Sequence, residues 1–283
     1  SDPTASEAEG TVWYNSTSTA LKYSVAGAGT WASGGAMNTG RGQFGLTGIL
    51  TAAIGFGGNP AQKTNTETYN GTSWTNAPTL NTGVQYNFGF GTTTAAVNAG
   101  GVIVGGNDTG ITETWNGSAW TTSPGTLIQA SQKRSASNQA PSTTGIVFAG
   151  YKQSPNTSIA LTEQWNGSAW TELADLVTAR EAGGGGGTQT AAFLASGNVY
   201  PNTQPTAVEL WNGTTWTEVN NVNTARQGTG SSGITTSALL YGGTDGSNSA
   251  LTEQYDGTSW TEVADLATAR QGVGKGTGAS GGS

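Results

Sequence analysis

Short apolar and aromatic runs, separated by residues that favour turns, recur along the whole chain. In the clearest copy, Leu161–Arg180, the alternating run Thr162–Trp165 is followed by Asn166-Gly167 and then by a second aromatic run, Ser168–Glu172. A continuous apolar run, Gly145–Gly150, precedes this copy. Alternation of apolar and polar positions predicts half-buried strands, and a short continuous apolar run predicts a fully buried strand. The pattern therefore predicts an all-β chain of short strands.

The Asn166-Gly167 pair predicts a tight hairpin between the two aromatic runs, because Asn-Gly supplies the positive φ angles that a two-residue turn requires. With such a turn, Trp165 pairs with Ser168 and Glu163 pairs with Trp170, so that Glu163, Trp165 and Trp170 project from one face. The same turn chemistry explains, without a sugar, why the Asn-Gly-Ser/Thr pattern of a glycosylation acceptor recurs. This pattern occurs at Asn70, Asn116, Asn166 and Asn212.

The whole unit is repeated along the sequence. Leu251–Arg270 matches Leu161–Arg180 at 14 of 20 positions. Looser copies place a second aromatic residue every 43 to 50 residues, a period typical of radial or stacked repeats. Each period holds a small-residue strand, an apolar strand and the two strands of the hairpin. Six such periods predict a six-bladed β-propeller with four antiparallel strands per blade. The second aromatic residues are Trp31, Trp74, Trp120, Trp170, Trp216 and Trp260.

All 283 residues are predicted to form this single domain. Glycine-rich strands such as Gly183–Gly187, Gln227–Gly233 and Gly272–Gly278 are expected at the axis, where larger side chains of neighbouring blades would collide. Residues Thr11–Tyr14 match a second strand and the C-terminal residues match a first strand. The C-terminal strand is therefore expected to join the N-terminal blade and close the ring, which removes free sheet edges. The predicted repeats cover residues 11–41, 42–84, 85–134, 135–180, 181–226 and 227–270, and residues 271–283 close the ring.

Composition excludes several classes of function. The net charge is −7 and no basic run is present, so no nucleic-acid partner is expected. The chain has no Cys and no His, which removes thiolate and imidazole metal sites and every catalytic triad that uses histidine. Gly183–Gly187 lacks the Gly-Lys-Ser/Thr ending of a phosphate-binding loop. No apolar run reaches about 18 residues, so no membrane insertion is expected. No cofactor and no metal ion is predicted.

The repeated unit resembles the kelch repeat. A double glycine ends the second strand, as at Gly57-Gly58, Gly105-Gly106 and Gly242-Gly243; a Tyr or Trp follows, then a Trp five residues later and an Arg ten residues beyond it. Two units depart from the pattern with Ala149-Gly150 and Ser196-Gly197. The resemblance covers almost the whole chain and implies a kelch-type β-propeller. The near-identical copies, rich in Thr, Asn and Gly, are similar to kelch-like repeat proteins of bacteriophages and environmental microbes.

A glutamate in the third strand and an arginine at the blade junction recur in most units. Paired carboxylates are the catalytic groups of glycoside hydrolases. These carboxylates repeat beside the blade tryptophans and away from the axis, so we interpret them as partners in structural inter-blade ion pairs. Val84 takes the arginine position of one unit, so one pair is expected to be missing. The residues are Glu67, Glu113, Glu163, Glu209 and Glu253, with Arg41, Arg180, Arg226 and Arg270, and with Arg134 after an insertion.

The loops between the second and third strands vary while the scaffold repeats. Function tends to lie on loops that a rigid scaffold holds, although surface loops also drift freely. One carboxylate per loop is too few to predict a Ca²⁺ site. These loops are predicted at Asn59–Asn65, Asn107–Ile111, Tyr151–Ala160, Asn198–Ala207 and Thr244–Ala250. The candidate ligand-binding residues on them are Asp108, Tyr151, Lys152, Tyr200, Asn202 and Asp245.

Three classes of function remain after these exclusions. The first is a non-enzymatic recognition module, in a phage-like virion appendage or an exported protein, that binds a host surface or a protein partner. The second is a multivalent carbohydrate-binding lectin, in which repetition raises avidity. The third is an enzyme, and no catalytic residue is predicted because the repeated carboxylates are interpreted as structural. We expect the first class, with a surface glycan or protein as partner and an extracellular or virion-associated location. The propeller is expected to be monomeric, and membership of a larger assembly is left open.

Overall fold

The structure, a computed structural model, describes residues 12–15, 20–23 and 34–272, and the first two ranges are described by their backbone alone. All regular elements in the described part of the chain are β-strands. Within these ranges no apolar helix of membrane-spanning length occurs. The prediction of an all-β chain is confirmed.

Five four-stranded antiparallel sheets form the blades, and within each blade the strands lie side by side in chain order. Three further sheets have two strands each. The first two strands are β1 (Val12–Asn15) and β2 (Ala20–Tyr23). Blade 1 consists of β3 (Gly45–Ile49), β4 (Ala52–Phe56), β5 (Thr66–Tyr69) and β6 (Trp74–Ala77). Strand β7 (Val84–Gln85) follows, and blade 2 consists of β8 (Phe88–Gly91), β9 (Ala96–Ala99), β11 (Thr112–Trp115) and β12 (Trp120–Thr122), with β10 (Val102–Ile103) outside its sheet. Blade 3 consists of β13 (Ser135–Ala136), β14 (Gly145–Phe148), β17 (Thr162–Trp165) and β18 (Trp170–Glu172), with β15 (Tyr151–Lys152) and β16 (Thr157–Ser158) outside its sheet. Blade 4 consists of β19 (Gly184–Gly187), β20 (Ala192–Ala195), β21 (Val208–Trp211) and β22 (Trp216–Val219). Blade 5 consists of β23 (Gly230–Ile234), β24 (Ser237–Tyr241), β25 (Thr252–Tyr255) and β26 (Trp260–Val263).

The described residues form five blades, not the predicted six. Strands β1 and β2 pair antiparallel, with Val12 opposite Tyr23, as the second and third strands of a sixth blade would. Trp31 and residues 273–283, which the sixth blade also requires, lie outside the described residues. The closure of the ring by the C-terminal strand therefore stays a prediction.

The first strand of each blade lies at the centre. Strand β3 contacts β8, β8 contacts β13, β13 contacts β19, and β19 contacts β23. Small residues are required there: a Cβ added at Gly185 would lie 2.7 Å from Cβ of Ser135 in the preceding blade, and one added at Gly184 would lie 2.2 Å from Cδ1 of Leu240 in the following blade. The predicted central position of the glycine-rich strands in blades 4 and 5 is confirmed.

A cyclic chain of backbone hydrogen bonds surrounds this centre. Six equivalent residues, five of them just before a first strand, have a φ between 53° and 64°, and the N–H of each donates to the carbonyl of the equivalent residue one repeat earlier at 2.7–3.5 Å. Gly272 donates to Gly228 and accepts from Gln43, so the chain of bonds returns to its start. The six residues are Gln43, Tyr86, Lys133, Ala182, Gly228 and Gly272.

The core lies between neighbouring blades. Each buried cluster combines apolar residues of two successive blades, such as Ile54 and Phe56 of blade 1 with Trp115 and Trp120 of blade 2. The Phe56 and Trp120 rings meet at 4.9 Å in an edge-on arrangement, and the equivalent Phe148 and Trp216 rings meet at 4.8 Å. Aromatic rings at each junction provide the buried area that holds blade to blade.

The predicted register of the hairpin is wrong. Trp165 lies opposite Trp170 and Gln164 lies opposite Thr171, so the loop has four residues instead of two. The cause is the Asn166 side chain, whose Oδ1 accepts from the N–H groups of Ser168 and Ala169 at 3.0 and 2.9 Å. This local capping replaces the two-residue turn. Trp165 and Trp170 still share a face, and their rings meet at 5.2 Å.

The double glycine of blade 2 was also misplaced. Strand β9 ends at Ala99, and Gly100-Gly101 follows with positive φ at both residues. The predicted pair Gly105-Gly106 lies after β10, in a turn of the loop between the second and third strands. The error arose because this loop carries a strand of its own, which pairs with β7. The equivalent pairs Ala149-Gly150 and Ser196-Gly197 also have positive φ at both residues.

Candidate binding face

Two sets of connections share one end of the molecule. These are the linkers from each fourth strand to the next first strand and the loops between second and third strands, and they meet through antiparallel bridges. We call this end the loop face. The opposite end carries the Asn-Gly hairpins and the turns between first and second strands, and we call it the hairpin face. The bridges are Gly42 with Asn59, Gln132 with Tyr151, Glu181 with Asn198, and Gln227 with Thr244, and β7 with β10 is their counterpart in blade 2.

A cavity of about 270 Å³ opens at the centre of the loop face. Residues at or just before the start of the first strand of all five blades line it, together with Gln271 and Gly272. Its wall includes all six residues of the cyclic hydrogen-bond chain. The cavity therefore lies where the blades converge, and every repeat contributes one variable side chain or a glycine to its rim.

Lys133 is the cationic centre of a cluster beside this cavity. Its Nζ lies 4.7 Å from the centre of the Tyr151 ring and 5.7 Å from that of Tyr86, within the range of cation–π attraction. The same atom lies 3.3 Å from Oε1 of Glu181, and the Lys133 side chain is 28% exposed. Asn198 Nδ2 donates to the same carboxylate oxygen at 3.2 Å. Residues from three successive repeats thus form one charged and aromatic cluster.

The loops of blades 3 and 4 add an aromatic pair to the cluster. The rings of Tyr151 and Tyr200 lie 5.8 Å apart at 43°, and Tyr200 is 42% exposed. Desolvation raises the pKa of the Tyr151 phenol, and the nearby Glu181 carboxylate raises it further. The phenol therefore stays protonated at neutral pH, and it donates to Oδ1 of Asn156 at 2.6 Å. The pair presents aromatic surface with a polar edge, an arrangement frequent in binding sites.

Two more predicted loop residues lie near this cluster and serve to join loops. Asp108 accepts from Nε2 of Gln132 at 2.9 Å and from the N–H of Gln153 at 2.6 Å. Lys152 donates from Nζ to Oε1 of Gln129 at 3.2 Å. These bonds connect the loop of blade 2 to the linker and loop of blade 3.

The remaining two predicted residues are not part of the cluster. Asn202 is exposed on the loop that follows the cis Tyr200-Pro201 bond. Asp245 is exposed on the loop of blade 5, where its Oδ1 accepts from the N–H of Ser247 at 3.4 Å. In the described ranges no group of three or more acidic residues has the spacing to hold a metal ion.

The repeated glutamates and arginines are brought together between blades. Each glutamate accepts from backbone N–H groups of the preceding linker and, in four blades, from a guanidinium. Burial lowers the pKa of Arg134, and the Glu163 carboxylate opposes that shift. Burial raises the pKa of Glu209, against the effect of Arg180. The pairs are Arg41–Glu67 at 2.8 Å, Arg134–Glu163 at 2.5 Å, Arg180–Glu209 at 3.0 Å and Arg226–Glu253 at 2.9 Å, all with side chains almost fully buried.

Blade 2 lacks such a pair. Val84 is buried at the arginine position, and Glu113 instead accepts from the N–H and Nδ2 of Asn81 and the N–H of Thr82 at 2.8–3.0 Å. Arg270 is exposed, and its Nε donates to the carbonyl of Thr268 at 3.2 Å. The repeated carboxylates therefore serve as hydrogen-bond and ion-pair partners that join neighbouring blades.

Arg134 pairs with Glu163 from a different position in the repeat than the other paired arginines. The arginine position of blade 3 is filled by buried Ser131, and Arg134 follows the cyclic position instead of preceding it. Its guanidinium nevertheless donates to Glu163 and to the carbonyl of Leu161, as Arg226 donates to Glu253 and Leu251. Lys133, directly before Arg134, occupies the cyclic position at the rim of the cavity.

Comparisons with known proteins bear on the fold. No family model matches the sequence, and a search of curated proteins returns no match. Among solved structures 214 chains match, so the architecture is widely shared and does not define a function. The chain is similar to the structure of YjhT, with a TM-score of 0.69 at 10% sequence identity over 84% of this chain and 88% of YjhT. That likeness supports a β-propeller repeat protein and shows the fold alone.

Sequence reasoning missed Tyr86, Lys133, Glu181 and Asn198. Asn198 begins a predicted variable loop, whereas the other three lie on linkers between blades, where the cyclic position carries Gln, Tyr, Lys, Ala, Gly and Gly in successive repeats. That variation within an otherwise repeated segment was the available signal. Their convergence with Tyr151 and Tyr200 depends on the blade arrangement and cannot be read from spacing.

Proposed function

We propose that the chain is a non-enzymatic recognition module whose loop face binds a host surface or a protein partner. The observation that carries this proposal is the cluster of Tyr86, Lys133, Tyr151 and Tyr200 beside the central cavity. It joins variable residues of three repeats on a scaffold that otherwise repeats. Aromatic residues with a polar edge are enriched at the energetic centres of interfaces.

A binding role without catalysis is supported by the state of the carboxylates. The repeated glutamates are held by buried guanidinium groups and backbone N–H groups. A general acid or base must instead reach a substrate proton directly. The chain also has no Cys and no His, so the usual nucleophile and base pairs are absent.

The proposal includes a closed, six-bladed, kelch-type ring. Its support is the cyclic hydrogen-bond chain, in which Gly272 supplies a sixth equivalent position between Gly228 and Gln43. The antiparallel pairing of β1 with β2 supplies two further strands of a sixth blade. A rigid closed ring would fix the loop face and suit a phage-like virion appendage or an exported, extracellular protein.

The test is adsorption of fluorescently labelled protein to a panel of intact bacterial strains. Wild-type protein is expected to bind at least one strain, and the combined Tyr151→Ala and Tyr200→Ala substitution is expected to abolish that binding. The matched control is Ile49→Ser with Leu50→Ser, because these side chains are 53% and 83% exposed on the hairpin face. Loss of binding in the control but not in the tyrosine variant would contradict the loop-face assignment.

A multivalent lectin is the second candidate. The exposed ring of Tyr200 beside Tyr151 favours it, because sugars stack on aromatic faces with hydroxyl groups held by polar neighbours. A glycan array separates the two candidates. Binding that rises steeply with glycan density supports the lectin, since avidity depends on simultaneous contacts, and no signal at the highest density excludes it.

A further inference from the structure

The central cavity of the loop face has the features of a small-molecule site. Its volume of about 270 Å³ lies just below the range for sites that hold drug-sized ligands, about 300–1,000 Å³, and so suits a smaller molecule. We propose that it binds one ring of a neutral sugar. This site goes beyond the surface recognition proposed above and does not depend on it.

The wall combines apolar and amide groups. Phe44, Leu46 and Phe88 contribute apolar surface, and Gln43, Gln227 and Gln271 contribute carboxamides. A carboxamide donates and accepts hydrogen bonds at once, which matches the paired hydroxyl groups of a sugar. The apolar side chains match the C–H face of the same ring. The Gln43 carboxamide already accepts from Nδ2 of Asn59, so the carboxamides of Gln227 and Gln271 are the ones that a purely apolar ligand would desolvate, at a cost in free energy.

The charges at the cavity are already balanced. Lys133 lies beside Glu181 and two tyrosine rings, and Arg134, which also lines the cavity, is paired with Glu163. An ionic ligand would lose its hydration without finding an uncompensated opposite charge. A neutral ligand avoids that cost.

The experiment is calorimetric titration of the protein with a panel of neutral monosaccharides and with glucuronic acid as the charged comparison. Wild-type protein is expected to bind at least one neutral sugar with a Kd on the order of 1 mM, more tightly than glucuronic acid. Gln227→Ala is expected to weaken binding about five- to tenfold, the effect of one lost hydrogen bond. The matched control is Gln164→Ala, on the third strand of blade 3 and away from the cavity.

Three outcomes would overturn the proposal. They are no heat of binding with any neutral sugar, equal binding by Gln227→Ala and wild type, and tighter binding of glucuronic acid. Thermal unfolding of each variant shows whether it has kept its fold. Failure here is distinct from failure of surface recognition: Gln227→Ala is expected to adsorb to cells as wild type does, and the Tyr151→Ala and Tyr200→Ala variant is expected to keep sugar binding.

Discussion

At the scale of single residues, one buried tryptophan N–H lacks the hydrogen-bond partner that its equivalents in other blades have. Nε1 of Trp120, Trp170 and Trp216 each donates at 2.9 Å to a threonine hydroxyl of the preceding blade. The equivalent Nε1 of Trp260 is buried without a partner. The reason is Val208, which stands where the preceding blades have Thr66, Thr112 and Thr162. An unpaired buried donor costs roughly 1–3 kcal/mol.

Val208→Thr is therefore expected to raise the free energy of unfolding by about 1 kcal/mol, because threonine has the shape of valine and its hydroxyl accepts a hydrogen bond from Nε1 of Trp260. Urea denaturation measures the change. Val222→Thr is the control, since this valine packs in the same buried cluster but does not occupy the position equivalent to Thr66, Thr112 and Thr162; it is expected to destabilise. Equal destabilisation by both substitutions would contradict the assignment.

At the scale of elements, blade junctions differ in whether a guanidinium balances the buried carboxylate. Glu113 and Glu253 accept from matching groups, the N–H and Nδ2 of an asparagine and the N–H of the next threonine. Of these two glutamates, only Glu253 also pairs with a buried arginine, Arg226, at 2.9 Å. The two glutamates thus separate the contribution of the ion pair from that of the shared hydrogen bonds.

Glu253→Gln is expected to lower the free energy of unfolding by about 3–5 kcal/mol, because it leaves the Arg226 charge buried and unpaired. Glu113→Gln is expected to cost only about 1–2 kcal/mol, because it weakens hydrogen bonds without stranding a charge. Urea denaturation of both variants measures the difference. Equal costs would show that the ion pair adds nothing beyond the shared bonds.

The hairpin turn of blade 5 carries an aspartate where the others carry asparagine. Oδ1 of Asp256 accepts from the N–H groups of Ser259 and Thr258 at 2.7 and 2.8 Å, and these bonds lower its pKa below the ordinary value of 3.8. A depressed pKa in the folded state contributes stability above pH 3.8 that is lost as pH falls through the lowered value.

Comparison with Asp256→Asn isolates this effect, because asparagine accepts the same bonds in the other turns. The Tm difference between wild type and variant is expected to be constant from about pH 7 to about pH 4. Below pH 3.8 the wild type is expected to lose stability relative to the variant. Thermal melts across this range measure it, and a difference that does not change with pH would rule out the shift.

The sequence allowed the blade scaffold to be predicted better than the candidate site. Glu163, Trp165 and Trp170 repeat because each must pack or pair at every junction, so period and partners were visible. The hairpin register was not, because the Asn166 side chain caps its own turn and lengthens the loop. The binding cluster was only half visible: Tyr151 lies on a loop that varies, whereas Lys133 lies on a linker, and the arrangement of the blades brings the two side chains together.

At the scale of the whole molecule, the cyclic hydrogen bonds couple every blade to its neighbours at the loop face. The final bond, from the N–H of Gln43 to the carbonyl of Gly272, is the longest at 3.5 Å. It joins blade 1 to the residue that immediately precedes the segment assigned to the sixth blade. We therefore expect the shape of the loop face to depend on this junction.

Removal of residues 273–283 is therefore expected to lower the Tm by roughly 5–10 °C, the effect of losing about 3 kcal/mol in a chain of this size. The physical reason is that the proposed inner strand of the sixth blade is lost and sheet edges are exposed. Removal of residues 1–9, which precede the first predicted repeat, is the control and is expected to change the Tm little. Equal effects of the two deletions would contradict closure by the C-terminal segment.

The central claim is that partners are recognised by the loop face. Hydrogen–deuterium exchange tests it most directly, with the protein free and bound to envelope fragments of a strain to which it adsorbs. The account predicts slower exchange in residues 151–160 and 198–207 on binding, with the Asn-Gly hairpin turns unchanged. Slower exchange confined to the turns at Asn116, Asn166 and Asn212 would contradict it.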